Sequence, residues 1–422
     1  MSTEPTTGRT TGERYLGAVL LLALGAFAVG TDSYIISGIL PAIAGDFRLP
    51  EGVTGQLVTV FALSYAVSAP VLTTLTATYG RRLLLQTALG VFLLANVLGA
   101  LAPTYGVLLV ARVLAGAGAA MYMNTAVAVA TAVAGDSRRG RAVSLVLGGL
   151  TLATAFGVPL GSLVGNLGSW RGTLGLTAAL AAVAMAGLAL TLPATPPPPA
   201  VSMARRLRVA ARPGVLVAVT ANTLVVGGSF VVFTYLAVLT RAVTPLSEAG
   251  VSAVLLVWGV AAAAGNAAGG RSCDRRGSER TYLYGVGGVA ASFVALGTVA
   301  LAAPRGHTAT TAVFLLCTLV WSALYWLIPG AQVQRVMLRA PDAPVVAVSV
   351  SSASSYLGVA LGGAAGGATL QYASAGALPW TGCALALCAL LVVVRDRYQA
   401  PEALPDAHKE PSGSTVRETL DT

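Results

Sequence analysis

Charge is scarce in this 422-residue chain: Asp, Glu, Lys and Arg make up 10% of it, against about 25% in a soluble domain. Lysine occurs once, at Lys409, and histidine twice, at His307 and His408. Cysteine is limited to Cys273, Cys317, Cys383 and Cys388, with no C-x-x-C spacing, so neither a disulfide framework nor a metal site is implied. No Ser/His/Asp set, metal cluster or phosphate loop can be assembled, which argues against an enzyme. What the chain has instead is apolar surface, at 55% hydrophobic residues and a mean hydropathy of +0.77. Such a composition belongs in a lipid bilayer. The formal charge of +10 does not point to nucleic acid, because the arginines sit in short clusters between apolar runs.

Twelve apolar runs can be marked, at residues 15–43, 53–77, 83–102, 106–134, 142–165, 172–192, 214–240, 249–270, 281–303, 309–333, 344–370 and 378–394. Most reach the ~20 residues that span a membrane as helix, and in lipid only a helix closes its own backbone hydrogen bonds. The first run follows a polar segment and no A-x-A-like site closes it, so it reads as a retained span rather than a removed signal. With the N-terminus inside, the outer loops receive only Arg48, Arg171, Arg241 and Arg305, and Arg112 lies within a run. The other basic residues all fall on the inner side, so both termini are expected to be cytoplasmic. The expected organisation is a cytoplasmic tail (1–14), a six-helix half (15–192), a Pro/Arg-rich linker (193–213), a second six-helix half (214–396) and a disordered tail (397–422). The linker reads PATPPPPAVSMARRLRVAARP and ends in a possible short helix on the inner leaflet.

Asp32 is the one acid inside an apolar run. A carboxylate there costs several kcal/mol unless it faces a wet cavity, finds a partner or takes up a proton. Arg112 is the matching base. At 1.5 Å rise, Asp32 lies ~18 Å from the outer end of its run and Arg112 ~9 Å from the outer end of the fourth, so both are expected in the outer half and close enough to interact.

The two halves echo each other. TATYGRRLLL follows the second run and GRSCDRRGSERTYL the eighth, and repeated six-span halves with a site between them are a transporter architecture. The chain resembles the major facilitator superfamily, in particular its twelve-span drug:proton antiporters, over nearly its whole length. GRSCDRRG (Gly270, Asp274, Arg275, Gly277) is similar to the loop signature G-x-x-x-D-R-x-G. Its N-terminal copy keeps Gly80, Arg81 and Arg82 but has Ala77 in place of the aspartate and Thr73 in place of the first glycine. Arg112-x-x-x-Gly116 resembles the buried-arginine motif of span four. Gly149 with Gly157, Pro159 and Gly161 resembles the antiporter glycine–proline motif, loosened by Val158. GTDSYIISGILPAIAGDF and GQLVTVFALSYAVSAP resemble the subgroup of chloramphenicol, purine-nucleoside and sugar exporters, many of which carry the acid one position later, where this chain has Ser33.

The resemblance implies an all-α membrane protein of twelve helices in two pseudo-symmetric halves, whose spans one, four, seven and ten line a central cavity. Asp32 and Arg112 would then exchange a proton as the protein rocks, form a static bridge, or touch substrate; Arg112 has the further option of bonding carbonyls freed near Pro159. Asp274 and Arg275 would bridge helix ends on the cytoplasmic face and hold an outward-open state. Gly149, Gly157, Gly161 and Gly165 share a helix face that favours close packing, as do the glycines of span eleven. The substrate-cavity candidates are Tyr34, Tyr122, Asn124, Asn222, Thr223, Tyr325, Trp326 and Gln332, a mixture suited to a small uncharged organic molecule. The expected function is proton-coupled efflux of a drug, antibiotic or nucleoside-like compound at the cytoplasmic membrane. The expected working form is a monomer with no cofactor beyond the proton gradient. A sugar or nucleoside importer, and a non-transporting receptor or assembly subunit, are the alternatives.

Overall fold

The structure, a computed structural model, describes residues 7–134, 138–192, 202–302 and 307–399. Among them every regular element is helical. Twelve helices are long and apolar enough to cross a membrane, numbered here spans one to twelve. The first six are Tyr15–Phe47, Glu51–Leu75, Arg81–Ala100, Tyr105–Ala134, Gly140–Gly165 and Trp170–Thr191. The second six are Pro213–Thr234, Glu248–Arg276, Ser278–Leu301, Thr308–Arg339, Pro344–Tyr372 and Ala375–Asp396. Between the two sets a short helix, Met203–Ala210, starts at Ser202, whose hydroxyl accepts the Arg205 backbone N–H at 3.3 Å. Its Val209 is buried with Val215, Ala218, Val336 and Ala340. Residues 193–201 of the expected linker and 400–422 of the expected tail lie outside the described residues.

Helix breaks follow backbone chemistry. Pro159 has no N–H to give to the residue four back, and the turn just before it, Ala153–Gly157, widens to a π-helix. Span ten pauses at Trp326 and Leu327 and restarts at Ile328 with Pro329 in its first turn. Gly277 ends span eight with φ +80° while its N–H bonds Cys273 O at 2.9 Å, a conformation that favours glycine.

The glycine series packs in fixed register. Gly149, Gly157, Gly161 and Gly165 of span five lie against Ala23, Thr31, Ile35 and Ile39 of span one, each pair 126 residues apart. Span eleven repeats the device: Gly358 and Gly362 lie against Thr223 and Gly227 of span seven, while Gly363 and Gly367 face Thr59 and Gln56 of span two.

Burial shows how the halves meet. One large core joins Ile35, Ile39, Ile43, Leu57 and Val58 from the outer parts of spans one and two to Val231, Leu239, Leu255 and Trp258 of the second half. The buried members of a second core all come from the first half, including Val19, Leu22, Leu89 and Val129, with Tyr356 of span eleven packed against them. The third, around Val215 and Val336, belongs to the second half alone. The shared core thus ties the end of span one and the start of span two to the second half, while the buried members of the other two cores each come from one half. Ser162 and Ser252 share a 2.9 Å hydrogen bond across the outer junction, and Gly259 fits against Thr154 and Ala155. Tyr235 Oη donates to Gly363 O at 2.9 Å, with the Gly52 carbonyl of the other half 3.4 Å away.

Candidate functional site

Asp32 and Arg112 are brought together inside the first half, 0% and 2% exposed. Arg112 Nη1 lies 2.9 and 2.8 Å from the two carboxylate oxygens, and Nη2 donates to the Asp32 carbonyl at 3.2 Å. The guanidinium also rests 4.4 Å from the centre of the Phe61 ring. Phe61 supplies a face for a cation that water does not reach. Arg112 therefore serves span one, and no bond to carbonyls near Pro159 is found among the described residues. The first helix is longer than its apolar run. Helix one continues past Ile43 to Phe47, where Asp46 accepts from Trp170 Nε1 at 3.0 Å and pairs with Arg171. This extension places Asp32 just on the outer side of the middle of its 33-residue span, paired with Arg112 seven residues into the fourth.

Aromatic rings surround the junction. Tyr34 is half-buried, with ring centroids 6.0 Å from Phe230 and 5.9 Å from Phe233 of the opposite half. Phe233 contacts Trp258 at 4.2 Å, which neighbours Trp326 at 6.2 Å, and Trp326 meets Tyr325 at 5.8 Å. Tyr34, Tyr325 and Trp326 thus belong to one aromatic group.

Other expected cavity residues are committed to packing. Tyr122 is fully buried and donates to Leu22 O at 2.7 Å, tying span four to span one. Asn222 donates to Ser354 and Ser355, both at 2.9 Å, and Thr223 donates to Ser354 O at 3.1 Å, joining spans seven and eleven. Gln332 donates to Ala218 O at 3.1 Å and Ser351 Oγ at 3.3 Å while accepting from Arg335 Nη1 at 3.1 Å. Each amide satisfies a buried neighbour. Asn124 alone of these amides is exposed, 3.5 Å from Thr73 Oγ1.

The inner-face motifs are also redistributed. Gly80 begins span three, Arg81 donates to Ala128 O at 2.7 Å and Arg82 to Ala189 O at 2.5 Å, so both arginines cap carbonyls late in neighbouring helices. Asp274 and Arg275 are exposed at the end of span eight, and neither has an ion-pair partner among the described residues. Bridging is performed instead by Glu279, Arg335, Arg339 and Asp396, whose N–O distances are 2.9–3.0 Å. Arg335 had counted as a loop charge, but span ten runs to Arg339 and buries it, 3.9 Å from the centre of the Tyr282 ring.

Tyr65 and Tyr356 went unnoticed in the sequence. They stack across the halves, from spans two and eleven, with centroids 3.5 Å apart and planes at 13°. A single tyrosine amid aliphatic residues carries no signal until its partner is placed.

A family model described as Major Facilitator Superfamily matches residues 22–346. The chain belongs to this superfamily. It is therefore a multi-pass membrane transporter of small molecules, not an enzyme. The inner membrane transport protein YdhP of Escherichia coli (strain K12) is 31% identical over 390 residues, covering 92% of this chain and 97% of that protein. A chloramphenicol resistance protein of Streptomyces lividans is 31% identical over 392 residues, covering 91% and 97%. A probable sugar efflux transporter of Pasteurella multocida (strain Pm70) is 27% identical over 409 residues, covering 95% and 98%. Among solved structures, the xylose transporter XylE from E. coli superposes with a TM-score of 0.69 at 17% identity, covering 96% of this chain and 100% of that one. The shared fold agrees with the twelve helices found here.

Proposed function

We propose that this superfamily member exports a small organic compound in exchange for protons, working by alternating access as a monomer. The observation that carries the proposal is the fully buried Asp32–Arg112 pair on spans one and four. A lone carboxylate in the middle of a span is costly, and its one buried counter-ion sits in the same half, so neither charge glues the halves together. A proton arriving at Asp32 would release Arg112 and alter the packing of span one against span five. The resistance and efflux relatives support outward transport of an organic cargo. The test is accumulation of a compound panel in inside-out vesicles, with and without a protonophore. Asp32→Asn is expected to abolish gradient-driven efflux at unchanged protein level. Full efflux by that variant overturns the proposal.

A further inference from the structure

Resting on the transport reading above, we propose that Tyr65 and Tyr356 form a clamp that takes a flat, uncharged aromatic or heteroaromatic ring between them. Face-to-face stacking at 3.5 Å and 13° is the arrangement that ring quadrupoles disfavour, since aromatic pairs prefer offset or edge contacts with centroids about 4.5–7 Å apart. The contact is imposed by spans two and eleven rather than drawn together by the rings themselves. Parting the rings gives up the hydrogen bond between the two tyrosine hydroxyls but little ring attraction, and a heteroaromatic guest with its own charge pattern gains a stack on each face while its ring heteroatoms can accept from those hydroxyls.

The position fits a cargo site. Tyr356 is half-buried and packs against both the outer shared core and the inner first-half core. It therefore stands where the shared core meets the first-half core. Tyr34, Phe230 and Phe233 add an aromatic wall that also draws on both halves. Polar groups at this level are hydroxyls, those of the two clamp tyrosines and Ser33, which neighbours Tyr356. Asp32, next in the chain to Ser33, is neutralised by Arg112, so no net charge waits for an ionic cargo. A sugar would need a partner for each hydroxyl. Of the candidate amides, Asn222 and Gln332 already satisfy neighbours within the second half, which leaves only Asn124 of span four for a polyhydroxylated cargo.

A ring entering the clamp parts the tyrosines to about 7 Å, two stacking thicknesses. Spans two and eleven must separate at that level. Above it the same two spans form the seal at Gly52 and Gly367, so cargo entry strains the outer junction from below.

The experiment is equilibrium dialysis of quinoline, caffeine and D-xylose against the purified full-length protein, comparing wild type with Tyr65→Leu, Tyr356→Leu and Tyr65→Phe. At least one of the two aromatic compounds is expected to bind wild type, with affinity falling about tenfold in each leucine variant and kept in Tyr65→Phe, where the ring remains. Xylose is expected not to bind. Binding of neither aromatic compound, equal aromatic binding by the leucine variants, or binding of xylose alone overturns the clamp. Clamp-dependent binding without gradient-driven efflux would uphold the clamp and refute the proton-coupled reading instead.

Discussion

Arg112 holds Asp32 twice over, by its carboxylate and by its own main-chain carbonyl, so the arginine fixes the backbone of span one as well as balancing its charge. The two functions can be separated by mutation. Arg112→Ala leaves a fully buried carboxylate without its counter-ion, and breaking such a pair costs about 3–5 kcal/mol. Adding Asp32→Asn removes the orphaned charge. The double variant is expected to recover most of the lost stability, measured by thermal unfolding in detergent, and a double variant no more stable than Arg112→Ala contradicts the coupling.

The outer seal gives a second prediction. Ser162 and Ser252 lie on opposite halves with their hydroxyl oxygens 2.9 Å apart. In a background with the four native cysteines replaced by serine, Ser162→Cys with Ser252→Cys should form a disulfide on oxidation. Transport should then stop and return on reduction. Undiminished transport by the cross-linked protein would mean that the outer junction does not open during the cycle.

Adjacent glycines supply a third. A Cβ at Gly149 would press on the Ala23 backbone carbonyl, whereas at Gly148 it would meet nothing within 4 Å. Gly149→Ala is expected to cost about 1–3 kcal/mol by overpacking, and Gly148→Ala to cost nothing. Thermal melts of the two variants decide it; equal melts would remove the special role of the span-five face.

The fourth concerns pH. On the inner face, Asp342 is held down at about 2, chiefly by its hydrogen bonds from Arg212 at 2.5 and 2.8 Å. A carboxyl lowered by folding stabilises the protein above its ordinary value of 3.8, and that contribution disappears as pH falls toward 2. The pair therefore stays ionised throughout the physiological range. Asp342→Asn should leave the pH profile of transport between 5 and 8 unchanged, as read from vesicle uptake rates. A shifted profile would bring this surface pair into the coupling mechanism.

Much of the fold was legible because lipid imposes a length and a polarity that no other environment does. The Asp32–Arg112 pair was legible for the same reason: two opposite charges in apolar runs have few other ways to be satisfied. What the runs could not show was which face of a helix meets which neighbour. Tyr122 and Gln332, expected in the cavity, are packing ties, while Tyr65 and Tyr356, 291 positions apart in the chain, meet across the halves. Arg335 was misplaced because hydropathy falls before the helix does, and Glu279 with Tyr282 lets the helix carry a buried cation to its inner end. Asp274 and Arg275 matched a motif, but a motif does not say in which conformation its charges find partners.

The constant register of span five on span one works like a toothed rack. Each glycine notch receives one residue, and the notches recur every four or eight positions. Sliding by less than one four-residue notch, about 6 Å, would drive side chains into backbone. The two helices are therefore geared together, and span eleven is geared to span seven by the same device. Shape change is left to places outside the rack where the helices are already interrupted, at Tyr235 and at Trp326–Leu327. The molecule is built as two stiff blocks with their compliance confined to those interruptions.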